Sequence, residues 1–252
     1  MSGLRLAYIC RHPVKSVGYE EIERVALTAG HPLPFDRNWA VSHEAAGFDQ
    51  PDGWQPKLKF VRGWAEGSLQ AIRAEFDDAT RRITLSHPAR PDLTALLPED
   101  GPALVDWLRP LWPERRPAPA ALVARRDGGA LTDVPEPYLS ILSLSSNRAL
   151  GQRLGQDLSI HRWRGNLWLD GLAPWEEFDL IGRTLAIGTA RLTIEQRITR
   201  CRATCANPET GRTDADTLGA LEEGYGHIDF GVYARVIQAG DITRGDPVEI
   251  VT

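Results

Sequence analysis

Cys201 and Cys205 stand four residues apart in TRCRATCANPETGRTD, residues 199 to 214, in a chain with only three cysteines. Arg200 and Arg202 flank the first thiol and Arg197 lies nearby. Cationic neighbours lower a thiol's pKa and favour the thiolate, the form that attacks electrophiles and binds soft metals. A zinc site normally needs four protein ligands, and C-x3-C supplies two at a spacing that fits few structural zinc patterns. From chemistry alone two readings of Cys201 stay open: a reactive or metal-binding thiolate, or a thiol on a strand whose alternating arginines point into water. Cys205, between Thr204 and Ala206, reads first as a small buried hydrophobe. The Asn207-Pro208-Glu209-Thr210-Gly211 run is turn chemistry.

The elements that must position these residues read as strands. LRLAYIC (4–10), WAVSH (39–43) and RRITLSH (81–87) alternate apolar and polar residues, as half-buried strands do. Residues 20–27 (EEIERVAL) fit a short strand better than a helix, closed by Thr28-Ala29-Gly30. Two helices are predicted. Gly101 to Trp112 is broken by Pro110, and Ser145 to Leu154 opens on two serines able to cap free N–H groups. Between them RRPAPAALVARRDGGALTDVPEP reads as a long connection, on the surface or lining a cleft. After residue 160 the strands return as NLWLDG, TLAIGTARLTIEQ and the final segment, in which GVYARVIQ and DPVEIV flank a Gly-Asp turn and are predicted to pair antiparallel. The expected fold is mainly β with a few helices, as two barrel-like units joined near residues 115 to 135.

With 252 residues, 42% of them hydrophobic, the chain can bury a full core. A net charge of −5 argues against a general nucleic-acid or membrane-surface role while leaving room for a local basic pocket. Three cysteines are too few for a disulfide scaffold. The start, MSGLRLAYICRHPVKS, has no secretory pattern, and no apolar stretch is long enough to span a membrane. A reducing compartment, the cytoplasm by default, is expected, with no nucleic-acid or membrane partner.

Longer motifs sharpen this. R-C-x-x-T-x-x-N-P-x-T-G (Arg200 to Gly211), L-x-x-L (Leu218, Leu221), F-G-V-Y (Phe230 to Tyr233) and G-D-I-x-x-G-D-P-V (Gly240 to Val248) resemble the MOSC domain, named for the C-terminus of molybdenum-cofactor sulfurase. H-P-V-K-S-x-G (His12 to Gly18) and D-R-x-W (Asp36, Arg37, Trp39) resemble its usual N-terminal companion, and Y-L-S-I-L-S (Tyr138 to Ser143) and R-W-R-G-N (Arg162 to Asn166) resemble the middle motifs. In order and extent the chain is similar to bacterial relatives of the mitochondrial amidoxime-reducing component. The resemblance implies a MOSC-type β-barrel over residues 116–252 and an N-terminal β-barrel-like domain over 1–115, whose first strands contribute to a shared site.

It also implies chemistry. In that family the cysteine of the R-C motif, here Cys201, binds the molybdenum of a molybdenum-pterin cofactor, and one soft thiolate suffices because the pterin supplies other ligands. The pterin phosphate calls for fixed positive charge. By motif position Lys15, Ser16, Arg37, Arg164 and Arg200 form the cradle, with Asn166, Thr204 and Asn207 beside the cofactor. Arg162 competes with Arg164 for the inward position, Asn166 serves a loop or a pterin edge, and Trp39 belongs to the core. The implied activity is reduction of N-hydroxylated compounds. The chain carries no iron-sulfur cysteine cluster and no GxGxxG fingerprint, so an external donor of ferredoxin, cytochrome or flavin type is expected. A second reading makes Cys201 a persulfide carrier fed by a pyridoxal-phosphate-dependent desulfurase, with Cys205 resolving the persulfide. A third is a cofactor-binding module. Departures from the family are Gly165, where Pro is common, Cys205, where threonine is common, and EAAGFDQPDGWQPKLKF (44–60), which lacks the usual T-x-R segment and so transfers no substrate contacts.

Overall fold

Strand-forming alternation organises most of the chain. A computed structural model describes residues 3–251. Its strands, in chain order, are β1 (Arg5–Arg11), β2 (Glu20–Ile22), β3 (Arg24–Leu27), β4 (Trp39–His43), β5 (Arg73–Asp77), β6 (Arg82–His87), β7 (Arg90–Leu96), β8 (Pro119–Ala124), β9 (Leu139–Ser143), β10 (Leu167–Asp170), β11 (Thr184–Ile187), β12 (Ala190–Thr199), β13 (Asp229–Gln238), β14 (Gly240–Thr243) and β15 (Val248–Val251). The α-helices are α1 (Gly101–Leu108), α2 (Leu144–Leu154) and α3 (Thr217–Tyr225). None is long and apolar enough to cross a membrane.

Eight strands form one sheet in the order β15-β11-β12-β13-β9-β10-β1-β2. Successive residues face opposite sides, as the pleat requires. Leu167 and Leu169 enter one core with Ile141, Leu192 and Val232, while Trp168 enters another with Leu142, Phe230 and Leu221 beneath α2 and α3. The first core lies on one face of the sheet, so N-terminal Leu6 and Ile9 pack against residues more than a hundred positions later. Two-stranded pairs β14-β3 and β4-β8 and the three-stranded β5-β6-β7 complete the β structure. A third core, gathered around β5, β6 and α1, holds Trp39 at 6% exposure, its ring against Phe35 and Phe76.

The fold is mainly β with three helices, in open sheets. Among the described residues no ladder closes into the expected barrels. The nearest approach is where β1 meets the turn before β15: Leu6 N donates to Asp246 O at 2.9 Å and Gly245 N to Leu6 O at 2.7 Å.

Three local expectations are corrected. GVYARVIQ and DPVEIV do not pair; β13 lies between β12 and β9, and β15 pairs with β11. The Gly-Asp between them is no turn but the start of β14, paired with β3. A Cβ on Gly240 would stand 2.4 Å from the carbonyl carbon of Thr189, so glycine is what lets the two backbones meet there. The serines at the start of α2 do not cap it: Ser145 Oγ bonds Ser143 Oγ at 2.7 Å, and Ser146 Oγ donates to buried Glu177 at 2.7 Å and accepts from Trp175 N at 2.8 Å. The connection before β9 contains β8, antiparallel to β4.

Candidate functional site

A cavity of about 640 Å³ opens where the ends of β9, β12 and β13 meet the turns of the N-terminal segment. Of three irregularities in the β12–β13 register, two lie near the cavity, between Ile194 and Gln196 and between Arg197 and Thr199, and break the alternation of β12. Bulges of this kind re-aim side chains beside sites, and Gln196 through Cys201 line the cavity as one continuous run.

Cys201 follows β12 and precedes a 3₁₀ turn over Arg202–Cys205. Its backbone oxygen accepts from Thr204 N at 3.1 Å and Thr204 Oγ1 at 3.0 Å. These bonds hold the backbone of the loop and leave the side chain exposed at the cavity wall. Cys205 is buried, does not line the cavity and sits with Sγ 3.5 Å from Thr217 Oγ1. Cys10 is buried, and burial pushes its thiol well above the ordinary range.

The N-terminal motifs reach this wall through a backbone clasp. Lys15 N donates to Trp39 O at 2.7 Å, Arg37 N to His12 O at 2.7 Å and Leu131 N to Arg37 O at 2.8 Å. Ser16, Arg37 and Arg164 all adopt positive φ (61°, 56° and 48°) without being glycine. Each such conformation costs on the order of 1 kcal/mol and clusters at functional sites, and all three residues line the cavity.

The charges there are fixed by tertiary bonds. Lys15 is buried; its Nζ donates to Leu131 O at 2.8 Å and to Asp133 Oδ1 at 2.5 Å. Lys15 in turn holds the Asp133 carboxyl below the usual carboxylate range. Arg37 pairs with buried Asp36 and donates from Nη2 to Arg164 O at 2.9 Å. His12 sits behind them with Nδ1 3.0 Å from Asp36; burial, then Arg164 and Arg37, push its pKa down to about 3, so it is neutral. Arg164 donates from Nη2 to Gly18 O at 3.0 Å, while its Nη1 is buried with no hydrogen-bond partner. Burial, then the neighbouring Arg37, lower the Arg164 pKa to about 9. Arg200 bonds Phe230 O and Trp163 O above the stacked rings of those residues. Burial lowers its pKa to about 10, still a cation at neutral pH.

Of the residues expected from sequence, Cys201, Lys15, Ser16, Arg37, Arg164, Asn166, Arg200 and Thr204 line this one cavity, and Asn207 does not. Asn207 closes its own loop, donating to Asp214 at 2.7 Å and accepting from Glu209 N at 2.7 Å. The amide of Asn166 is spent on Ser140 and Cys10. Arg162 also faces the cavity but its Nη2 is paired with Asp214 at 2.6 Å and only its Nε is left without a partner, whereas Arg164 keeps a terminal Nη1 unpartnered. Sequence reasoning missed Lys57, Arg62, Trp64 and Gln70, which come from the unassigned stretch before β5, and Asp133, Tyr138 and Tyr233. The two tyrosines stand in motifs already noted and stack at 5.5 Å. The lining thus carries eight Lys and Arg side chains, the four expected plus Lys57, Arg62, Arg162 and Arg197, against the single carboxylate of Asp133. Such a surface can hold an oxyanion bearing more than one charge beside an accessible sulfur.

Residues 129–249 match the MOSC domain family. The chain is similar to the molybdenum cofactor sulfurase of Anopheles gambiae, 26% identical over 277 residues, covering 94% of this chain and 34% of that protein. It is also similar to the molybdenum cofactor sulfurase of Drosophila willistoni, 31% identical over 104 residues, covering 41% of this chain and 13% of that protein. The chain therefore spans about a third or less of the length of these relatives. Among solved structures, the YuaD protein of Bacillus subtilis is 12% identical, with 99% of this chain and 96% of that one covered at a TM-score of 0.49. YiiM of Geobacillus stearothermophilus is 21% identical, with 45% and 54% covered at a TM-score of 0.35.

Proposed function

Starting from the MOSC domain that this chain carries over residues 129–249, we propose a molybdenum-cofactor-dependent oxidoreductase that reduces N-hydroxylated compounds. Electrons come from a separate donor of ferredoxin, cytochrome or flavin type, in a reducing cytoplasm. The observation that supports this most directly is the sharing of one cavity by the exposed Cys201 thiol and a strongly cationic lining.

The residues present fit the cofactor. The buried, unpartnered Nη1 of Arg164 is a donor with no protein acceptor, and a phosphate oxygen satisfies it with a charge-assisted bond. Lys15, Arg37 and Arg200, each anchored to carboxylates or carbonyls, supply fixed positive field that need not reorganise on binding. Cys201 is the one thiol of the described residues that faces this cavity and holds the metal as a soft ligand. When bound, the molybdenum-pterin group supplies the two-electron oxygen-removal chemistry, leaving binding, orientation and electrostatics to the protein. Ser16 and Thr204 shape the wall; Asn166 and Asn207 act by holding loops in place.

The test is metal and pterin analysis of the chain produced in a host that makes the cofactor. We expect about one molybdenum per chain, falling at least roughly tenfold in Cys201→Ser, as loss of even a supporting group around a metal costs that much. Benzamidoxime should turn over with a chemical reductant and not with NADH alone. A wild-type chain that takes up no molybdenum sinks this reading.

The similarity to one molybdenum cofactor sulfurase along 94% of the chain favours a second reading, in which Cys201 carries a persulfide received from a pyridoxal-phosphate-dependent desulfurase. Buried Cys205 then needs a loop movement to resolve it. Intact mass one sulfur heavier on Cys201, in metal-free protein, supports this alternative. Tight cofactor binding without any turnover indicates a cofactor-binding module instead.

A further inference from the structure

Opposite the clasped turns, the cavity has a wall built from the segment that leads into β5. Gln70, 2% exposed, donates from Nε2 to Ala203 O at 3.0 Å, tying this segment to the 3₁₀ turn after Cys201. Gly67 and Gly211 meet so closely that a Cβ on Gly67 would stand 2.7 Å from Gly211 O. The segment is therefore fixed relative to the thiol. On it, the exposed indole of Trp64 (45%) has two guanidiniums near its ring, Arg62 with Cζ 5.0 Å from the ring centroid and Arg116 at 5.5 Å.

Arg62 differs from most of the arginines around the cavity; Arg197 also makes no hydrogen bond or ion pair among the described residues, but it is exposed, with its guanidinium 4.2 Å from the Phe178 ring centroid. Lys15, Arg37, Arg162, Arg164 and Arg200 all donate to protein carboxylates or carbonyls. Among the described residues the Arg62 side chain makes no hydrogen bond and no ion pair, although it is only partly exposed, lines the cavity with Cys201 and is near enough to Asp133 to feel its charge. It is a positioned cation whose fork is empty, standing over an indole that is partly exposed and lines the cavity.

We infer that Arg62 and Trp64 form the substrate side of the cavity and select a planar substrate that carries an oxyanion, such as a carboxylate or phosphate group. This rests on the reductase reading for the chemistry performed, but not for the binding preference. Arginine's planar fork engages such oxygens at two points, and the indole offers a stacking surface for the flat part of the same molecule. Lys57, on the same segment and also lining the cavity, adds long-range attraction that salt will screen.

The experiment uses the full chain with its cofactor, and benzamidoxime and 4-carboxybenzamidoxime as probes, with Kd from calorimetry and KM and kcat from turnover with a chemical reductant. Wild type should bind the carboxylated probe roughly ten- to a hundredfold more tightly than the neutral one, as expected for a hydrogen-bonded charge pair. Arg62→Gln should remove that preference while leaving neutral-probe affinity, molybdenum and pterin content unchanged, and Arg62→Lys should restore part of it. Trp64→Leu should weaken both probes. Equal affinity for the two probes in wild type overturns the inference. Loss of pterin from Arg62→Gln also overturns it, by assigning Arg62 to the cofactor. Absence of turnover with both probes counts against the reductase reading alone, because the Kd ratio still decides the preference.

Discussion

Glu177 has no exposed surface, and one of its carboxylate oxygens accepts from Ser146 while the other meets no partner. Burial pushes its pKa up from 4.5 to about 7. The folded chain thus keeps a proton that the unfolded chain has already released, so Glu177 contributes stability below pH 4.5 that is lost as pH rises through about 7. His12 works in the other direction: its depressed pKa gives stability above 6.5 that is lost as pH falls towards about 3. Comparing Glu177→Gln with wild type cancels the His12 contribution. The variant should gain on the order of 3 kcal/mol over wild type between pH 5 and pH 8 by urea unfolding; parallel profiles would show that Glu177 is not the group that titrates. The site residues that were legible in sequence, such as Lys15, Arg37, Arg164 and Cys201, stand in short motifs that carry the family resemblance; the three cations are then aimed by bonds to Leu131, Asp133, Asp36 and Gly18. Arg62 and Trp64 were not, since their stretch has no periodicity and its placement depends on the distant bond from Gln70 to Ala203. Tyr138 and Tyr233 were visible as motif letters, but their facing depends on strand pairings and register slips that no local pattern encodes.

At the scale of elements, alternation located β1, β4, β6, β12 and β13; β6 and β12 bury one face, while β4 and parts of β1 and β13 are buried on both. It failed for α3, a nine-residue helix whose Asp216 cap accepts from Gly219 N at 3.1 Å, since Gly219 and Gly224 dilute its helical pattern. Partner choice was the harder problem: β13 and β15 are close in sequence, yet the intervening Gly240–Thr243 is claimed by β3. Gly240 tests whether that claim is strong. Alanine in a strand is ordinarily better than glycine by roughly 0.5–1 kcal/mol. Here its Cβ would lie 2.4 Å from Thr189 C and 2.5 Å from Ala190 N, both backbone atoms that cannot swing aside. The clash should win, with Gly240→Ala destabilising by about 1–3 kcal/mol and exposing β14 amides to hydrogen exchange. A stabilised variant would mean that β14 and the β11–β12 turn are not in contact.

At the scale of the whole molecule, a chain of net charge −5 concentrates eight cations against one carboxylate in a single cavity. Most of those cations are already neutralised locally or bonded to carbonyls, so the attraction for an anion falls on the donors left over, foremost Arg164 Nη1. Inorganic phosphate is the simplest probe of this asymmetry, because it needs neither cofactor nor substrate. Cofactor-free chain should be stabilised by phosphate as any ligand of the native state stabilises it. At a concentration about ten times Kd the gain is about 1.4 kcal/mol, or roughly 3–6 °C in Tm for a chain of this size. Arg164→Gln should lose most of that shift, and raising sodium chloride should shrink it less than it would for an exposed pair, since partly buried charges are screened less. A phosphate shift that persists unchanged in Arg164→Gln would place the anion elsewhere and leave the unsatisfied Arg164 donor without a ligand to explain it.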